Sequence, residues 1–126
     1  MYAPIQPEVR AESSRVLAGA AIEYIRSSDP SIPFFAYPAP PVPHDPRVAP
    51  KEFMDMYDPA KISLPRNFMP DHPFDYKDPG TRRDENLAPF PRTPEVMRRH
   101  LADYYATITC LDHHMGRILA ELENSG

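Results

Sequence analysis

The sequence holds a single cysteine, Cys110, no tryptophan and only four glycines among 126 residues. A lone thiol has no internal partner, so no disulfide framework is available and cysteine usage does not reveal a redox compartment. No run of about 18 apolar residues occurs, which excludes a membrane-spanning helix on that criterion. Met1 to Pro7 contains neither a basic n-region nor an apolar h-region, so no signal peptide is expected there and localisation is left open. Positive charge is also scarce: 14 Lys and Arg stand against 18 Asp and Glu, a net charge of −4. A nucleic-acid binder needs a basic face, so nucleic acid is not an expected partner.

Proline is the residue in excess. There are 18, about three times the usual ~5% share. Sixteen lie between Pro30 and Pro94, so two proline-poor segments flank a proline-rich middle. An aromatic content of 10% argues against a long disordered chain.

The first proline-poor segment, about Glu8 to Ser27, predicts a helix. Val16, Leu17, Ala20, Ala21, Tyr24 and Ile25 recur at three- and four-residue steps, as one buried face requires. Ser27-Ser28-Asp29-Pro30 stops it, because proline cannot continue a helix. Pro33-Phe34-Phe35-Ala36-Tyr37-Pro38 is short, apolar and aromatic between turn signals, and predicts a buried strand. A helix feeding a buried strand implies α/β architecture with a largely parallel sheet. From Ala39 to Arg92 only Pro50 to Tyr57 suggests a short helix, and the remainder predicts a long loop.

The second proline-poor segment predicts a helix of about 30 residues, roughly 45 Å long. Thr93 suits the N-cap, Pro94 the first turn, and Glu95 the positive end of the helix dipole. Met97, Leu101, Tyr104, Ile108, Leu111, Met115, Ile118, Leu119 and Leu122 fall within a stripe about 100° wide, which predicts the buried face. Asn124-Ser125-Gly126 supplies a stop. Such a helix suits the flank of a domain larger than 126 residues.

Among chemistry-bearing residues, His44 stands out. It lies in Val42-Pro43-His44-Asp45-Pro46-Arg47, just after the predicted strand. Open α/β sheets bind ligands beyond the carboxyl ends of their strands, and histidine can donate a proton or stabilise an anion near neutral pH. The same residues also suit an ordinary loop histidine. His100, Cys110, His113 and His114 invite a metal reading, and Cys110 and His114 are one helical turn apart. Two ligands fall short of the usual four for zinc, and His113 points almost opposite the apolar stripe, so a surface histidine and a structural thiol are expected. Asp112 and Gly116 read as structural residues beside the apolar stripe, with Gly116 marking a close backbone approach. Arg82-Arg83 and Arg98-Arg99 read as solvated charges. Pro38 to Pro43 resembles a polyproline ligand, although a rigid loop is the plainer reading.

Taken together, the ordered motifs are more specific. Ile22-Glu23-Tyr24-Ile25, Pro33-Phe34-Phe35-Ala36-Tyr37 and Pro43-His44-Asp45-Pro46 resemble the central part of a sulfatase. So do Ala49-Pro50-Lys51-Glu52-Phe53, Met56-Tyr57, Ile62 to Phe68, Tyr104-Tyr105-Ala106, Leu111-Asp112 and Gly116-Arg117-Ile118-Leu119. The resemblance covers roughly Arg15 to Gly126. It implies a partial alkaline-phosphatase-like α/β fold: a helix, a buried strand, a long Pro-rich loop and a long helix, with an incomplete sheet. It also implies that residues 1–126 are a fragment of a single sulfatase catalytic domain. Sulfatases cleave sulfate esters with a formylglycine derived from a cysteine or serine in a Cys/Ser-x-Pro-x-Arg motif, aided by calcium. Leu111-Asp112 follows Cys110 without the required proline, and Ser63-Leu64-Pro65-Arg66-Asn67 has Asn67 in the arginine position. No catalytic nucleophile and no metal ligand is therefore assigned. No cofactor is expected for the fragment, with Ca2+ belonging to the parent family. Only His44 carries over, as a substrate-binding residue that contacts the sulfate of a sulfate-ester substrate. The alternatives are a related phosphodiesterase or phosphonate hydrolase fragment, and a non-enzymatic Pro-rich interaction module.

Overall fold

The computed structural model describes residues 7–71, 73–74 and 88–125. Arg82, Arg83 and Gly126, considered above, lie outside the described residues. Among the described residues there are four helices, α1 (Pro7–Ala11), α2 (Ser13–Ser27), α3 (Lys51–Met54) and α4 (Pro94–Ser125), with a 3₁₀ turn at Pro59–Lys61.

The helix boundaries follow the local signals. α1 and α2 are separated only by Glu12, and Ser28 ends α2 by turning to an extended backbone at ψ 142°. Pro50 occupies the N-cap position of α3. At the start of α4, the Val96 amide donates to Thr93 Oγ1 at 3.3 Å. The Glu95 carboxyl lies below its ordinary range, through backbone and Thr93 hydrogen bonds at this same turn.

The packing departs from the expected pattern. α4 buries Ala102, Ala106, Thr107, Cys110, His114 and Ile118, with Ala106 wholly inaccessible. On a helical wheel this face is centred roughly 120° from the bulky apolar stripe. Of that stripe only Ile118 is buried, whereas Ile108, Leu119 and Leu122 are exposed. α2 shows the same shift: Ser14, Ala18, Ile22 and Ile25 are buried, while Val16 and Tyr24 are exposed. Ala18 packs with Ile22, Ile25 and Ile118 in the α2–α4 contact, and Ala106 packs with Phe53 of α3, so small side chains share each contact with larger ones.

Two small cores result. Ala18, Ile22, Ile25 and Ile118 join α2 to α4, with Ala21 and Met115 beside them. Phe53, Ala106 and Cys110 join α3 to α4, with Ala49, Met54 and Tyr57 around them. The α2 seam closes with a bidentate ion pair in which the Arg26 guanidinium donates to both Glu121 carboxylate oxygens, at 2.9 and 2.7 Å.

The expected buried strand is corrected. Among the described residues no strand is present. Phe35 and Tyr37 are 86% and 82% exposed. A strand is buried only when neighbours pair with its edges, and no residue from 33 to 38 joins a strand ladder among the described residues. Phe34 alone is engaged, edge-on to the Tyr24 ring at a centroid distance of 5.4 Å. The observed architecture is thus helical over the described residues, without the expected partial sheet.

Three further expectations change. A Cβ built on Gly116 meets nothing within 4 Å, so no close approach explains that glycine. Asp112 is exposed. Arg98 is not simply solvated, because its Nε donates to the Ile62 carbonyl at 3.2 Å and ties the middle loop to α4.

The buried face makes a paired prediction. Ile118→Ala should cost about 2–5 kcal/mol. Leu119→Ala, at a 56% exposed neighbour, should stay within about 0.5 kcal/mol. Urea unfolding of both variants measures the difference.

Candidate functional site

The proline-rich segment holds His44 in a particular setting. Pro38, Pro40, Pro41, Pro43 and Pro46 have no amide hydrogen, so the local backbone cannot build a ladder of its own. Other groups hold it. Val42 is buried at 6% exposure. The Arg10 side chain, from α1, donates through Nη2 to the carbonyls of Pro41 and His44, both at 3.1 Å. Further along, the Arg47 guanidinium lies over the Tyr104 ring of α4, 5.4 Å from its centroid.

The His44 side chain is half exposed. Its Nδ1 lies 3.0 Å from the Asp45 carbonyl oxygen and 3.0 Å from Asp45 Oδ1. Both oxygens are acceptors when the carboxyl is ionised, so Nδ1 carries the hydrogen. Nε2 then bears a lone pair in the neutral ring and a proton in the charged ring. The second form can donate to an anionic oxygen.

The remaining candidates separate from this loop. Cys110 is buried against Phe53 and Ala106. Burial, then Glu12 and Glu52, push its thiol up, so it stays protonated and a poor nucleophile. His114 is buried, and its Nδ1 lies 3.0 Å from Arg117 Nη1. Arg117 can only donate, so Nδ1 accepts and the hydrogen is on Nε2 of the neutral ring. Burial holds the imidazole below its ordinary range, helped by His113, Arg117 and Arg15 and opposed by Glu12. His113 is exposed and packs edgewise on His114, with ring centroids 5.0 Å apart. Burial raises the Asp103 carboxyl, against His100, Arg99 and Arg47. Among the described residues no group of three or more His, Cys, Asp or Glu could hold a metal ion. The donor set in hand therefore does not fit a calcium site. Ser63 lies exposed in the turn region after the 3₁₀ segment.

The polyproline tract is only partly accessible. Pro38, Pro40 and Pro43 are half-buried, and Val42 is buried between them. Sequence reasoning missed Arg10 altogether. Its only signal was a cation on the first helix, which does not indicate a contact with a loop 31 to 34 residues away.

The family model for sulfatases matches residues 2–126. This chain belongs to the sulfatase family. It is 33% identical over 106 residues to an arylsulfatase of Clostridium perfringens (strain 13 / Type A). That match covers 84% of this chain and 22% of the relative, so the chain spans about a fifth of the relative's length. No solved structure matches it. Among the described residues, no helix is long and apolar enough to cross a membrane.

Two outcomes follow from the buried pair on α4. The Cys110 thiol should react with a bulky disulfide reagent many-fold more slowly in buffer than in denaturant, read by absorbance. His114 has a lowered imidazole pKa, so below about 6.5 the unfolded chain binds more protons than the folded one. Stability contributed by neutral His114 should be present above that value and fall as pH drops through it. His114→Gln should flatten that slope in urea midpoints taken between about pH 7.5 and about pH 5.5.

Proposed function

We propose that this chain is part of a sulfatase catalytic domain, and that His44 contacts the sulfate of the substrate in the intact enzyme. The observation that carries this reading is the placement of His44. The side chain is half exposed, its Nδ1 is committed to Asp45, and its loop is held by Arg10. Nε2 is the atom that would donate to a sulfate oxygen when the ring is charged. Family membership supports the reaction class, and the arylsulfatase relative supports a sulfate ester as substrate.

The chemistry needs more than this one group. When the ester S–O bond breaks, the departing oxygen gains negative charge, and cations or donors around it lower the barrier. A protonated His44 would stabilise that charge or supply the proton. The formylglycine nucleophile and the calcium ligands belong, in this reading, to parts of the parent enzyme outside residues 1–126. The chain by itself is then catalytically silent. The uncovered apolar stripe of α4 and the exposed Phe35 and Tyr37 suit a surface that the rest of such a domain would cover.

The test is incubation of the isolated chain with a chromogenic aryl sulfate, with and without calcium. No turnover above the uncatalysed rate is expected. Calcium-dependent release of the phenol, abolished by removing the metal, would overturn the assignment of the nucleophile to another part of the enzyme.

A further inference from the structure

We infer that Arg47 binds an oxyanion of the substrate, through a guanidinium laid against Tyr104 and an Nε–H that the described residues leave without an acceptor. Arg47 follows His44 by three positions, across Asp45-Pro46. Three residues span at most about 11 Å, so the two positions lie within the length of one small substrate. The Arg47 guanidinium sits over the Tyr104 ring of α4, 5.4 Å from its centroid. Such stacking holds the cation by the ring's electron-rich face and uses none of its N–H donors. Arg47 is half-buried, and its Nε is buried with no hydrogen-bond partner among the described residues.

A buried donor without an acceptor costs free energy, and a charged one costs more. Arg10 also has a buried Nε without a partner, but its Nη2 is committed to the carbonyls of Pro41 and His44. Arg47 has the aromatic support without such a commitment. The group that feels its charge is the half-buried Asp103 carboxyl, next to Tyr104 on α4. With a carboxyl already nearby, a lone negative charge gains little from Arg47. A pair of acceptor oxygens that matches the guanidinium fork gains more, because two parallel charge-assisted bonds form at once. The ligand class is therefore a sulfate or a carboxylate. Its source is either the ester's own sulfate or a second anionic group on the same substrate. The inference rests on the reading of this loop as the side that meets substrate, but it does not require His44 to touch the sulfate.

The test uses the full chain, labelled with 15N, with sodium sulfate as the probe and sodium chloride at equal ionic strength as the control. The Arg47 Nε–H signal is identified by its loss in Arg47→Gln. Sulfate should shift that signal saturably in the native chain, and chloride should not. A shift that never saturates, or that chloride reproduces, would overturn the inference without relying on any variant's fold. Arg47→Lys keeps the charge but loses the fork, and should bind sulfate about tenfold more weakly, as the loss of one charge-assisted bond predicts. Equal binding by a folded Arg47→Lys chain would also overturn it. The His44 ring nitrogens report separately. If Arg47 saturates while His44 stays in place, the inference stands and the sulfate contact of His44 fails. If His44 alone responds, Arg47 fails and the His44 reading stands. Shifts of both with one midpoint assign the oxyanion to the ester's own sulfate. An Arg47 shift on adding sodium acetate, after sulfate has saturated His44, assigns it to a second anionic group.

Discussion

The buried seam on α4, repeating every four residues, is the constraint on which the rest of the structure depends. Ala102, Ala106, Cys110, His114 and Ile118 repeat every four residues and are all buried. α2 lies along one part of that seam and α3 along another. The middle loop is tied to the same helix through Arg98 and Ile62, and through Arg47 and Tyr104. Tyr57 adds a hydrogen bond to Thr109, at 2.6 Å. Every described element that matters to His44 is thus referenced to one long helix. A change at Ala106 would be felt by α3 directly, because no space is left around that side chain.

A second constraint acts on the loop that bears His44. Proline removes amide donors and fixes φ, so the chain there is locally stiff and has few backbone donors. Side chains help to hold it. Arg10 binds two carbonyls, and Asp45 takes the hydrogen of His44 Nδ1. The result is a ring whose tautomer is set by its neighbour. The buried His114 has the opposite character. Its Nδ1 accepts from Arg117 and its setting favours the neutral ring, which suits a structural role.

The bulky apolar face of α4 and the aromatic run from Phe34 to Tyr37 lie largely outside the two cores. In a layered α/β domain a helix of this kind needs a second surface to cover, and an aromatic run of this kind needs strands on its edges. On this helix hydrophobic periodicity and observed burial disagree. Periodicity reports all the surface a helix is built to bury. The seam between α2 and α4 reports only the part that α2 can cover.

Local chemistry was legible from the residues alone. Pro94 after Thr93, and Ser28-Asp29-Pro30 after α2, set helix ends because capping and proline act within one turn. The ordered motifs around Pro43-His44-Asp45-Pro46 pointed to the family, and the match over residues 2–126 bears that out. Burial was not legible. Val16, Leu119 and Phe35 read as core and are exposed. Side-chain contacts across more than 30 residues, such as Arg10 with the turn at His44, leave no periodic trace in a sequence. The sequence by itself determined where helices begin and end and which family they serve, because those signals are local or ordered along the chain. Only the tertiary structure decided which helix face is covered and what holds His44, because both depend on how closely separate segments approach one another.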